Sequence, residues 1–257
     1  MSTKQVLCGK KAVIIGGTSG LGEAIACAFV KEGATVIPVS RDSKKVLKTL
    51  TKLKKLGNFY NDSLTVNVCN EKQVKLLVKK VDNKKVPVDI VVCTAGMYLK
   101  KDFLSMKTTE WNALLETNLT GTYLINKHFG QAMVKRRSGS IINISSLGAR
   151  VALSKATAYC VSKAGVSMLT KSLACEWATT GVRVNAILPG VFLTPLNKKA
   201  LSDTTRRKNI LAKTPLKRLG KLSEITSAAL FLASDAASFV TGTEVTVDGG
   251  FLATSGF

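Results

Sequence analysis

Ala12-Val13-Ile14-Ile15-Gly16-Gly17-Thr18-Ser19-Gly20-Leu21-Gly22 opens as a β-rich apolar run, breaks into a glycine turn and runs on into a helical pattern. Glycine has no Cβ, so it permits a tight turn and lets a ligand approach the backbone closely. Where such a turn feeds a helix N-terminus, unpaired N–H groups and the helix dipole favour an anion. Gly16, Gly20 and Gly22 are spaced G-x-x-x-G-x-G, not the strict G-x-G-x-x-G. The physical demand is the same. A turn built from Gly16, Thr18, Ser19, Gly20, Leu21 and Gly22 is expected to cradle the pyrophosphate of a dinucleotide. A plain strand–helix turn with incidental glycines is the competing reading.

Outward from this unit the alternation repeats. Apolar runs at 12–15, 35–39, 64–68, 89–93, 140–144, 183–188 and 244–247 read as strands. Helical patterns at 21–32, 44–56, 71–80, 109–135, 158–179 and 223–233 separate them. This alternation predicts an α/β fold of Rossmann type: a doubly wound parallel sheet of about seven strands with helices on both faces. The strands are nearly continuous in apolar character, as they are when both faces of a sheet are covered. No linker, repeat or low-complexity tract interrupts the pattern, so residues 1–257 are expected to form one domain. The longest irregular stretch, 190–221, contains Pro195 and Pro215. It is expected to act as a substrate lid holding short helical pieces at most.

The chain has 257 residues, 46% hydrophobic and 21% charged, which suits a sizeable core and excludes a disordered chain. No run approaches the ~20 apolar residues that cross a bilayer. The first eleven residues carry no secretory leader pattern. The six cysteines form no C-x-x-C pair, and His128 is the one histidine, so no metal site is expected. Scattered thiols read as reduced, and a cytoplasmic location is expected. Lys plus Arg number 38 against 16 acids, a net charge of +22. Such a field attracts anions. Nucleic acid is one candidate, but no aromatic residues are interleaved with the lysines as a base-stacking platform, so it is not the expected partner. Two readings remain: a lysine-biased solvated surface, or a substrate and cofactor that are both anionic.

The second strand ends in Ser40-Arg41. An acid at that point would bind the ribose 2′-hydroxyl of NAD and repel a 2′-phosphate, whereas an arginine beside a serine binds the phosphate. NADP is therefore favoured, and Asp42, turned inward, would revive NAD. Further along, Tyr159-Cys160-Val161-Ser162-Lys163 places a phenol and an ammonium one helical turn apart, with Ser146 upstream. Tyrosine alone titrates near ~10, too high for a base at neutral pH. The ammonium favours the phenolate and is expected to lower that value, giving a group suited to general acid–base chemistry.

These segments resemble the short-chain dehydrogenase/reductase family over essentially the whole chain. Gly16, Gly20 and Gly22 match its cofactor loop, although Ile15 stands where Thr is frequent. Asn67 and Val68 resemble the segment that touches the adenine, where many members have Asp in place of Asn67. Cys93-Thr94-Ala95-Gly96 stands where the family has Asn-Asn-Ala-Gly. Ala95 and Gly96 match, and the two asparagines that usually brace the central strands are replaced. Asn118, Ser146, Tyr159 and Lys163 match the catalytic set. Pro189, Gly190, Phe192 and Thr194 match the segment that follows a strand onto the nicotinamide half of the cofactor.

The resemblance implies an NAD(P)-dependent oxidoreductase interconverting a secondary alcohol and a ketone. Ser146 would hold the carbonyl and Tyr159 would transfer the proton. Lys163 would bind the nicotinamide ribose, Asn118 would hold a relay water, and the Phe192 backbone would meet the carboxamide. It also implies a homotetramer packed through the helix at 158–179. The segments around Pro189, Lys213 and Gly249 look like those of sugar-acid dehydrogenases of the gluconate, mannonate and hexuronate type. Lys100, Lys101 and Arg150 are the candidate partners for a substrate carboxylate, solvated loop charges being the alternative. A 3-oxoacyl-carrier-protein reductase is the second enzymatic reading. A non-catalytic dinucleotide- or nucleic-acid-binding protein is the reading from another class.

Overall fold

The computed structural model describes residues 5–254; residues 1–4, part of the segment read for a leader, and 255–257 lie outside the described residues. Seven strands are formed among the described residues: β1 (Lys11–Ile15), β2 (Thr35–Ser40), β3 (Leu64–Thr65), β4 (Ile90–Cys93), β5 (Gly139–Ile144), β6 (Val182–Pro189) and β7 (Glu244–Val247). They make one sheet in the order β3-β2-β1-β4-β5-β6-β7. Every neighbouring pair is parallel. The helices are α1 (Gly20–Lys31), α2 (Ser43–Lys54), α3 (Glu71–Val81), α4 (Thr108–Leu115), α5 (Gly121–Arg136), α6 (Thr157–Glu176), α7 (Lys198–Leu201), α8 (Thr204–Lys213) and α9 (Leu222–Ala233). This is the doubly wound α/β architecture that the alternation predicts.

Side chains alternate across a strand, so β1 feeds two cores at once. Val13 and Ile15 pack with Leu77 of α3, Ile125 and Phe129 of α5 and Ala174 of α6. Ala12 and Ile14 pack on the other face with Phe29 of α1, Leu53 of α2, and Ile225 and Leu232 of α9. Each fully buried side chain of this size contributes about 1.5–3 kcal/mol, which is what holds helices on both faces of the sheet. The chain winds outward from β1 to β3, then crosses back to begin again at β4. That reversal opens a crevice beyond the carboxyl ends of β1 and β4, the place where this sheet type binds ligands.

The expected bracing asparagines after β4 are replaced, and other residues take over the work. The Thr94 hydroxyl donates to the Ile15 carbonyl at 2.8 Å, tying the ends of β4 and β1 together. Deeper in, Asn126 of α5 and Asn143 of β5 exchange hydrogen bonds at 2.9 and 3.1 Å. Asn143 also donates to the Thr170 hydroxyl of α6 at 3.0 Å. The sheet and its two covering helices are thus pinned through one buried polar cluster.

Three elements depart from expectation. The strand expected at 64–68 pairs over Leu64–Thr65 alone, although Val66 N still donates to Ser40 O at 3.0 Å, and Val66 and Val68 stay buried. The helix expected at 109–135 is divided by a π-helical stretch, Glu116–Thr120, between α4 and α5. The irregular stretch at 190–221 contains a ten-residue helix, α8, besides the short α7. Helix α8 has no buried residue, so it carries no apolar stripe to betray it in sequence. Its start is set by Asp203, whose carboxylate accepts from Arg206 N at 3.0 Å.

Candidate active site

The glycine turn lies where β1 meets α1. Gly16 has φ +82° and Gly20 φ +52°, in the left-handed region that favours glycine. A Cβ on Gly16 would stand 2.6 Å from Thr94 Oγ1 and 2.8 Å from Ala95 N, so the close packing of the β1 and β4 loops also demands glycine. One cleft runs along this turn. It is bordered by all the residues assigned from sequence to the cofactor: Gly16, Thr18, Ser19, Gly20, Leu21 and Gly22; Ser40 and Arg41; Asn67 and Val68; Ala95 and Gly96; Tyr159 and Lys163; and Pro189, Gly190, Phe192 and Thr194. Ser146 borders it too.

At the outer end, Ser40, Arg41, Asp42 and Lys45 line the cleft together. Asp42 borders the cleft but is engaged at the start of α2. Its carboxylate caps α2, accepting from Lys45 N at 3.2 Å, and lies 3.9 Å from Lys45 Nζ. The Ser40 hydroxyl donates to the Asp42 carbonyl at 3.1 Å, which closes this turn. Arg41 therefore faces the cleft with its neighbouring carboxylate already engaged. Lys45 was missed in the sequence because it sits among many lysines. The narrow glycine cradle fits the pyrophosphate of a dinucleotide, with these two cations at its outer end.

At the inner end, the Ser146 hydroxyl accepts from Gly148 N at 3.1 Å, which leaves its own proton free to point elsewhere. It stands near enough to the Tyr159 phenol to favour the ionised form. Lys163 is buried, and its ammonium donates to the Ile144 carbonyl at 2.7 Å. Nζ lies 6.0 Å from the Tyr159 ring centroid. Burial pulls the Lys163 pKa down to about 8. The expected depression of Tyr159 is not found. Burial is the largest influence on its phenol and raises its pKa, and the nearby Ser146 hydroxyl opposes that shift.

Asn118 does not border the cleft. It is fully buried within the π-helical stretch, a feature common at functional sites. Its Oδ1 accepts from Met97 N at 2.6 Å, and its Nδ2 donates to Met97 O and to Ser162 Oγ, both at 3.0 Å. Both ends of the amide thus bind protein, and the side chain braces the loop after β4 against α6. The Phe192 carbonyl accepts from Asn197 Nδ2 at 2.7 Å, so an expected carboxamide contact there is left to the N–H.

The three residues expected at a substrate carboxylate separate. Lys101 Nζ is held by both oxygens of Glu110, at 2.8 and 2.6 Å. Arg150 is paired with Glu244 of β7. Both are neutralised away from the cleft, which corrects the expectation for them. Lys100 does line the wider part of the cleft, with Tyr98, Arg206 and Lys213, none of which the sequence reading singled out beside it.

A family model described as enoyl-(acyl carrier protein) reductase matches residues 16–252. A 3-oxoacyl-(acyl-carrier-protein) reductase from Thermotoga maritima is 37% identical over 244 residues, covering 95% of this chain and 98% of that protein. A 2-dehydro-3-deoxy-D-gluconate 5-dehydrogenase from Formosa agariphila is 33% identical over 250 residues, covering 96% and 94%. Among solved structures, one described as a gluconate dehydrogenase from Agrobacterium tumefaciens superposes with a TM-score of 0.94 at 31% identity, covering 98% of this chain and 100% of that one. Another, described as an NAD(P)-dependent gluconate 5-dehydrogenase from Beutenbergia cavernae with bound NADP, gives 0.92 at 31% identity and the same coverage. With the glycine cradle, the serine–tyrosine pair and near-complete coverage in agreement, the chain belongs to the short-chain dehydrogenase/reductase family of oxidoreductases.

Proposed function

We propose that the protein interconverts a secondary alcohol and a ketone with NADP(H), acting on a sugar acid of the gluconate, mannonate or hexuronate type. The observation that carries the reaction type is the gathering of Ser146, Tyr159 and buried Lys163 in one cleft with the glycine turn. A ketone oxygen placed there meets two hydroxyl donors. Ser146 orients and polarises it, and Tyr159 gives it the proton as the new O–H bond forms. When bound, the nicotinamide supplies the hydride to the carbonyl carbon, or accepts it in the reverse direction. The Lys163 ammonium favours the phenolate left on Tyr159, and its bond to Ile144 O fixes where that charge sits. Asn118 keeps the Met97 loop in register with α6, so the hydroxyl pair and the cleft wall stay aligned.

Arg41 and Lys45 at the ribose end, with Asp42 spent as a helix cap, support NADP over NAD. The sugar-acid assignment is supported by the likeness to structures described as gluconate dehydrogenases and by the cations around the wider cleft. A second reading, reduction of 3-oxoacyl thioesters on a carrier, is favoured by apolar Leu147, Val151 and Leu153 in that cleft and by the 37% identical relative. A panel of keto-sugar acids, acetoacetyl thioesters and a steroid ketone, each with NADPH and with NADH, separates these. Turnover of keto acids with NADPH, with NADPH binding the more tightly in fluorescence titration, is the expected result. Turnover of thioesters alone would replace the substrate. Full activity in Tyr159→Phe would remove the mechanism.

A further inference from the structure

From Ser146 and Tyr159 the cleft widens into a cavity of about 460 Å³, and its far rim carries Lys100, Arg206 and Lys213. The same three cations line an adjoining outer cavity together with Asp203. Among the described residues no ion pair joins any of the three to a carboxylate. Asp203 is occupied at the first turn of α8, accepting from Arg206 N. This contrasts with Lys101 and Arg150, which found acids nearby. In a surface carrying +22, an unneutralised trio at the mouth of the reactive cleft is placed to attract an anion, with Arg206 the least exposed of the three.

Arg206 is the best placed of the three. Its Nη2 donates to the Tyr98 hydroxyl at 2.8 Å, and its Cζ lies 5.9 Å from the Tyr98 ring centroid. Tyr98 in turn meets the Tyr159 ring edge-on, with centroids 5.1 Å apart. A single aromatic ring therefore separates the proton-donating tyrosine from a guanidinium. Tyr98 accepts one of the five N–H donors of Arg206 and orients the fork, leaving the others for a planar two-oxygen partner. The wall between carries Leu147, Val151, Leu153 and Ile210, so the partner's anion must lie several bonds from its carbonyl across a partly apolar path.

We propose that Arg206, held by Tyr98 and assisted by Lys100 and Lys213, is the specificity-determining residue that binds the substrate's carboxylate. The assignment rests on the oxidoreductase reading above and names the chemistry of its substrate: a compact oxo acid or hydroxy acid with the carboxylate remote from the reacting carbon. One ring's thickness suits such a molecule. The phosphate of a phosphopantetheine thioester lies far out along its arm and would pass this rim.

The test is a set of matched ketones: an oxo acid, its methyl ester, acetoacetyl-pantetheine and the 4′-phosphorylated form. Wild-type protein, Arg206→Gln, Arg206→Lys and Lys208→Gln on the exposed side of α8 are compared, with NADPH affinity and thermal melting as checks on folding. In wild type the oxo acid is preferred over its ester by at least tenfold in kcat/KM. In Arg206→Gln that ratio collapses toward one through KM, Arg206→Lys restores part of it, and Lys208→Gln keeps it. Calorimetry of the corresponding hydroxy acid, with NADPH absent, shows the same loss of binding in Arg206→Gln and reads the site without turnover. Equal use of acid and ester by wild type, or equal loss for both in Arg206→Gln, would overturn the assignment. So would an effect confined to the phosphorylated thioester, which would make the anion a phosphate. Absence of hydride transfer to every ketone, with hydroxy-acid binding still dependent on Arg206, would strike the oxidoreductase reading and leave the anion site standing.

Discussion

Burial, not their mutual spacing, is the chief influence on the protonation of Tyr159 and Lys163. Burial raises the phenol and lowers the ammonium, because each loses solvation of its charged form. With Lys163 near 8, the ammonium is present through neutrality and is lost as pH rises past that value. The sign of the effect on reduction follows. Proton donation leaves a phenolate on Tyr159, and only the charged form of Lys163 offsets that negative charge. Reductive kcat should therefore be level below about pH 8 and fall above it. Oxidation needs phenolate in the starting state and should rise with pH over the alkaline range. The check is a pair of pH–rate profiles for wild type and Lys163→Arg. Guanidinium stays charged beyond pH ~12, so the alkaline break in reduction should move out of range in that variant. A break that stays in place would belong to another group.

Between elements, the buried Asn126–Asn143–Thr170 cluster carries the bracing that the replaced asparagines after β4 would have supplied. Asn143→Ala would leave Asn126 and Thr170 buried without their partner, at a cost of about 1–3 kcal/mol. At roughly 2–4 °C per kcal/mol for a chain of this size, the melting temperature should fall by several degrees. A paired Asn126→Leu/Asn143→Leu variant should lose less than the two single changes combined, because it removes the orphaned groups together. Thermal melts of the four proteins measure this directly. The same cluster shows what local sequence can and cannot reveal. The glycine turn, the Ser40-Arg41 strand end and the Tyr159–Lys163 spacing are legible because each depends on neighbours within a few residues. The π-helical stretch at Asn118 is not, because it answers to Met97 and Ser162 across the fold. Lys101 and Arg150 looked equivalent to Lys100 until Glu110 and Glu244 arrived beside two of them. Helix α8 lacks an apolar stripe, so its position over the cleft, and with it Arg206, emerges from tertiary packing alone.

Over the whole molecule, +22 charges act on everything that approaches, including a second copy. The α6 surface leaves Val161 and Met168 exposed, and the family resemblance points to assembly through this long helix. Two forces then compete. Burying the apolar residues favours association at about 25 cal/mol per Å² of apolar surface removed from water. Repulsion between copies opposes it over a Debye length of ~30 Å at 0.01 M salt, but over only ~8 Å at physiological ionic strength. The apolar gain is barely altered by moderate salt, so screening decides the balance. Light scattering should therefore show a mass that rises toward four copies as salt is raised from low to physiological, without loss of helical signal. Met168→Glu on α6 places a buried charge in the expected contact and should hold the mass down at both salt levels while NADPH binding is retained. A single-copy mass at physiological salt in the unaltered protein would show that this helix does not form the contact, and the apolar residues on it would then need another partner.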